Sequence, residues 1–153
     1  MGPLVLVWLV LAPAPAGSGR SAGASGGAAA AGALQVDSLL AAAERVAVAW
    51  RRHDFAAVVA GAGAVALHLP GTDPSAPLRP AQAAELLRAF ADGTREVDLI
   101  VQVVRSVDPD RAYVEAQRIY EVRGTGVRHS QTLYFGFRRV GTAYRLVEIR
   151  ALP

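Results

Sequence analysis

The sequence contains no cysteine, which excludes a disulfide framework, a thiolate zinc site and a cysteine nucleophile. It also excludes a lipid-bearing cysteine behind an export signal. Lysine is missing too: every one of the 16 basic residues is Arg. Together with the abundance of Ala, Gly, Val and Pro, this points to a compositional bias of the genome. Aromatics make up only 7% of the chain, and its arginines are scattered among acids. A nucleic-acid footprint needs basic residues clustered on one face with stacking aromatics, so no nucleic-acid partner is expected. A net charge of +3 then describes a mildly cationic surface and little more. There is no Gly-rich phosphate loop, since Gly61-x-Gly63 lacks a third glycine. Ser106 and Ser130 have no nucleophile elbow around them. His53, His68 and His129 are too dispersed for a metal site, and no cofactor is expected.

What is present begins with an apolar run, Leu4 to Leu11, followed by Ala12-Pro13-Ala14-Pro15-Ala16. The run is shorter than the ~20 residues that cross a bilayer, but it has the length of a secretory h-region. Ala12-x-Ala14 and Ala14-x-Ala16 supply the small residues of a cleavage site, although no Lys or Arg precedes the run. Residues 1–16 are therefore expected to be a signal peptide, with no stable membrane anchor after cleavage. The mature protein would be extracytoplasmic, periplasmic or secreted, and cytoplasmic only if the start is misassigned. A buried N-terminal strand is the competing reading of the run. Residues 17–35 are Gly/Ser/Ala-rich, and 17–32 offer no large apolar group to offset the entropy of ordering them, which predicts a flexible spacer.

Residues 36–153 read as one domain. Leu39, Leu40, Ala43, Val46, Ala47 and Trp50 recur at helical spacing behind an Asp37-Ser38 N-cap. His53-Asp54 interrupts the run, and Asp54 can cap a short second helix ending before Gly61. Val65 to Leu69 is a short strand closed by Pro70-Gly71, and Thr72 to Leu78 is a loop. Pro80 opens another helix with Ala83, Leu86, Leu87 and Phe90 on its apolar stripe, stopped near Gly93. From Val97 the period changes to two, giving strands over about 97–104, 112–122, 128–140 and 144–152. Helices grouped ahead of hairpins predict an α+β fold, with N-terminal helices packed on an antiparallel sheet of four to five strands.

Three stretches carry a resemblance to a known family: Trp50-Arg-Arg-His53-Asp54-Phe55, Val65-Ala-Leu-His-Leu-Pro70-Gly71, and Pro80-Ala-Gln82-Ala-Ala-Glu-Leu86-Leu87-Arg-Ala-Phe90. In order and kind they resemble the nuclear-transport-factor-2-like superfamily, the cone-shaped α+β fold shared with ketosteroid isomerase. They are most similar to short bacterial envelope proteins of unknown function within it. The resemblance implies a curved sheet over a pocket and, often, a homodimer. It also exposes a departure. Isomerase-type members commonly place a carboxylate base at the end of the first strand, where this chain has Leu69. The nearest acid, Asp73, lies beyond Gly71.

No catalytic residue is assigned. His68 sits where such a cone opens and its ordinary pKa suits proton transfer, but a strand histidine facing away from Leu67 and Leu69 satisfies the pattern equally. Asp98, Glu115 and Glu121 fall in the polar registers of their strands. Arg118 and Gln131 fall in otherwise apolar registers, which fits either snorkelling near strand ends or the lining of a cavity. With Trp50, Tyr120 and His68 they form the expected ligand-binding set, apolar with a few polar anchors. The leading expectation is a non-catalytic domain that binds a small apolar ligand or a protein partner. An isomerase, dehydratase or hydrolase using His68 or Asp73 with Tyr120, and a structural homodimer, are the alternatives.

Overall fold

A computed structural model describes residues 25–153; the expected signal peptide and the first part of the spacer lie outside them. Helix α1 spans Ser25–Arg51, α2 Phe55–Val58 and α3 Pro80–Ala91. Strands β1 (Ala66–His68), β2 (Thr94–Ser106), β3 (Arg111–Val122), β4 (Arg128–Val140) and β5 (Ala143–Ala151) form a single sheet in the order β1-β5-β4-β3-β2.

The first helix starts well before Asp37-Ser38, so residues 25–35 are helical where a flexible spacer was expected. Alanine explains this, because it loses least on entering a helix. Ser38 is no cap here: its hydroxyl donates to the Gln35 carbonyl three residues back, at 2.9 Å. Burial begins only at Leu39, and Leu34 one turn earlier is 70% exposed. The helix ends in a Schellman motif, with Asp54 N–H donating to the Ala49 carbonyl at 3.0 Å and His53 N–H to the Trp50 carbonyl at 2.8 Å. His53 takes the left-handed position of that motif, φ 55°, which glycine ordinarily fills. Asp54 then caps α2, its carboxylate accepting from Ala57 N–H at 3.0 Å.

α3 begins at Pro80, and Gln82 Oε1 accepts from the Arg79 N–H at 3.2 Å. Its buried side is Ala83, Ala84, Leu87 and Ala91, with Phe90 half-buried. Leu86, expected on that stripe, is exposed.

The sheet is mixed and not wholly antiparallel: β1 runs parallel to β5, Leu67 opposite Ile149. The connection between these two strands contains α3 and three other strands, long enough to bring them together in parallel. On the inner face Ala112, Val114 and Ala116 of β3, Leu133, Phe135 and Phe137 of β4, and Leu146 and Ile149 of β5 are buried with Trp50 and Phe55. The alternating residues of the outer face are less enclosed: Tyr113, Gln117, Thr132 and Tyr134 are only half-buried.

Register shifts interrupt β2 twice, between Glu96 and Asp98 and between Val101 and Val103. Each inserts an unpaired residue, a β-bulge that bends the strand and re-aims its side chains. β2 is also an edge of the sheet. The opposite edge, β1, is covered by its own loop: Val65 and Leu78 exchange backbone hydrogen bonds at 2.9 Å, and Ser75 N–H donates to the Leu67 carbonyl at 2.9 Å.

Candidate binding site

The first bulge builds the polar centre of the fold. Counting by twos from buried Leu99 would point Val97 inward and Glu96 outward. The extra residue reverses this, setting Glu96 opposite Tyr120 on the inner face, where its side chain is 1% exposed. Arg118, on β3 opposite Gln131 of β4, is equally enclosed at 2%.

The two groups form a buried ion pair. Arg118 Nε donates to both Glu96 oxygens at 3.0 Å, and Nη2 donates to Oε1. The guanidinium makes two further bonds, Nη2 to Thr94 Oγ1 at 3.0 Å and Nη1 to Gln131 Oε1 at 3.2 Å. Thr94 in turn donates to the Ala91 carbonyl at the end of α3, at 2.7 Å. Aromatic rings surround the cation, with the guanidinium carbon 4.2 Å from the centre of Tyr120, 5.2 Å from Phe90 and 5.8 Å from Trp50. A charge in this setting is tolerable because each of the three guanidinium nitrogens has an acceptor and the rings supply favourable faces.

Two polar atoms at the cluster remain unpaired. Trp50 Nε1 is buried without a hydrogen-bond partner. His53 Nε2 lies 3.4 Å from Glu96 Oε1, but it is buried and not aligned for a hydrogen bond.

Four of the five expected ligand-binding residues, Trp50, Arg118, Tyr120 and Gln131, thus meet in one cluster. His68 does not join them. Leu67 beside it is buried, and His68 sits on the outer face with its Nε2 3.2 Å from Glu148 Oε1. Asp73 is exposed in the loop after β1. The acid–base pairing of His68 or Asp73 with Tyr120 is therefore not assembled. Asp98 and Glu121 are held by surface arginines, Asp98 by Arg51 at 3.2 Å and Glu121 by Arg128 at 3.1 Å. Hydrogen bonds from Arg95 and Arg128 keep the Glu121 carboxyl below the usual carboxylate range. Among the described residues no group of His, Asp and Glu can hold a metal ion. None of their helices is long and apolar enough to cross a membrane.

The outer face has its own local feature. Tyr113 and Tyr134 meet edge to face with ring centres 6.3 Å apart. They border a shallow depression of about 310 Å³ that also touches Gly136, Glu148 and Arg150. The depression exists because Gly136 has no side chain; a Cβ there would stand 3.0 Å from the Glu148 Cβ. Partial burial and the neighbouring Glu115 carboxylate push the Tyr134 phenol up.

No family model and no curated protein matches the chain. Solved structures do. A ketosteroid isomerase-like protein from Erwinia carotovora atroseptica superimposes with a TM-score of 0.61 at 20% identity, covering 76% of this chain and 94% of that one. An NTF2-like protein with a cystatin-like fold from Novosphingobium aromaticivorans gives 0.61 at 18% identity, over 86% and 90%. A domain from Thiobacillus denitrificans, assigned as a calcium/calmodulin-dependent protein kinase type II association domain, gives 0.60 at 18% identity, over 74% and 92%. These likenesses and the architecture define an α+β protein of the cystatin-like class. Within that class the chain has the nuclear-transport-factor-2-like fold, as the three sequence stretches implied. Fold likeness at such identities carries no activity with it.

Proposed function

We propose that the domain is a non-catalytic module that docks a protein partner on the outer face of its sheet. The observation that carries this reading is the division of labour between the two faces. Inside, the polar side chains of Arg118, Glu96, Thr94 and Gln131 are committed to one another. Outside, the Tyr113–Tyr134 pair stands half-buried on the face opposite the buried core. Tyrosine and arginine are the residues that protein interfaces favour.

A second copy of the chain fits the face less well than another protein. The row Arg111, Arg138, Arg145 lies at one end and Arg95, Glu121, Arg128 at the other. Two-fold packing of the face on itself brings arginine-rich rows together in either orientation. A photo-crosslinking residue in place of Tyr134 should trap a discrete partner in the native host, and one in place of Leu86 on α3 should not. Equal or absent crosslinking would sink the reading. A light-scattering mass twice that of the monomer, lost in Tyr134→Asp, would replace it with the homodimer. The apolar run Leu4–Leu11 supports an extracytoplasmic location for this docking.

A specific observation favours a second reading, a small ligand with an apolar body at the interior cluster. Trp50 Nε1 and His53 Nε2 are buried polar atoms without partners, and such atoms call for an explanation. Native mass spectrometry finding a stoichiometric co-purifying molecule, lost in Trp50→Phe, supports this reading; a bare mass counts against it.

A further inference from the structure

The outer face carries a charged row that the fold itself does not explain. Register aligns Arg111 on β3 with Arg138 on β4, and Arg138 with Arg145 on β5. Strands lie ~4.8 Å apart, so the three side chains cross the face within about 10 Å. Arg105, opposite Tyr113, adds a fourth from the adjacent row. Arg111 is held by Asp108, Nε to Oδ2 at 2.6 Å. Arg105, Arg138 and Arg145 are exposed and have no ion-pair or hydrogen-bond partner among the described residues. Like charges opposite one another on adjacent strands destabilise a sheet. The row thus opposes folding, and among the described residues three of its arginines form no ion pair, although Asp108 and Asp110 border the same depression as Arg138.

We infer that this row receives an acidic segment of the protein partner. Carboxylates of that segment bridge Arg138 and Arg145, and an aromatic or aliphatic side chain packs on Tyr113 and Tyr134. A guanidinium fork matches a carboxylate in bidentate geometry, and the adjoining tyrosine pair supplies the apolar anchor that a protein segment needs. A lipid surface would use exposed Trp, Phe or Leu for insertion, and neither the row nor the tyrosine pair beside it includes one. The inference rests on the outer face being a docking surface, and its test separates the two.

The full chain is titrated against a fluorescein-labelled peptide of alternating Glu and Tyr and followed by fluorescence polarisation. Wild type should bind, less tightly as salt rises. Arg138→Glu/Arg145→Glu should weaken binding at least ~tenfold. A charge-matched control, Arg52→Glu/Arg123→Glu, changes two exposed arginines off the row and should stay within about twofold of wild type. The row variant should melt at or above the wild-type temperature, because it removes like-charge contacts; a lower midpoint overturns the premise. Absent wild-type binding or equal loss in the control overturns the inference. So does a preference for phosphatidylserine vesicles over the peptide with the same arginine dependence, which assigns the row to a membrane surface. If the Tyr134 crosslink to a partner persists in a row variant while peptide binding is absent throughout, docking stands and the acidic segment falls.

Discussion

Replacing Arg118 by Met removes one member of a buried ion pair while keeping most of its volume. Glu96 then stays behind with its side chain 1% exposed and without its cation. Breaking a buried pair in this one-sided way costs about 3–5 kcal/mol, because the orphaned charge retains its desolvation penalty. A domain of this size has ~5–15 kcal/mol in all, so the variant should lose a large share of its stability. With a urea slope of about 2 kcal/mol per molar, the midpoint should fall by roughly 2 M at unchanged slope. Adding Glu96→Leu removes the orphan. The double variant should return to within about 1 kcal/mol of wild type, short of full recovery because the guanidinium also lies over Tyr120 at 4.2 Å. The cycle then yields a coupling energy above ~2 kcal/mol. Strictly additive single losses, or a midpoint shift in Arg118→Met below about 0.5 M, would refute the argument that the pair is mutually dependent.

Other expectations follow from capping and charge. Asp54→Ala removes the acceptor for Ala57 N–H and should cost about 1 kcal/mol by urea denaturation; an unchanged midpoint would show the cap to be idle. Tyr134 has its phenol pKa raised by partial burial and by Glu115, so its contribution is present below the unfolded pKa and lost as pH rises through the folded one. Tyr134→Phe should therefore flatten the alkaline limb of the stability curve, and Glu115→Gln should lower the last tyrosine transition seen by absorbance. Asp108 is depressed by the Arg111 hydrogen bond and by the N–H groups of Asp110 and Arg111. Its contribution holds above the unfolded carboxyl value and disappears as pH falls through the folded one, so Asp108→Asn should show a shallower acid limb. If residues 1–16 are cleaved on export, mass spectrometry of exported material should find no intact Met1.

The legible parts of the fold were those in which one local rule acts alone. Pro80 and the alternation of β3 and β4 set their elements to within a residue or two. Arg118 and Gln131 stood out because they interrupt an apolar register, and shared register is also what pairs them across β3 and β4. Glu96 was invisible because its inward direction depends on a bulge, and a bulge breaks the period-two count on which the reading depends. The early start of α1 was hidden by a competent cap, Asp37-Ser38, that the helix simply runs through. The parallel partner of β1 is settled by tertiary closure between segments far apart in sequence, which no window along the chain contains. His68 drew attention for its position at a strand end, while parity alone would have turned it outward with its neighbours Leu67 and Leu69 inward.

The bulge at Val97 also fixes how the gene can change length. Deleting Arg95 and closing the ladder through Val97 would turn position 96 to solvent and leave the Arg118 guanidinium enclosed without its carboxylate, whereas deleting Val97 itself would keep Glu96 opposite Tyr120. Either deletion would straighten an edge strand whose irregularity now discourages pairing with other chains. Insertions and deletions in this strand should thus be purged far more strongly than substitutions, and natural length variation should collect in the turns at Pro109 and Gly124–Gly126 instead.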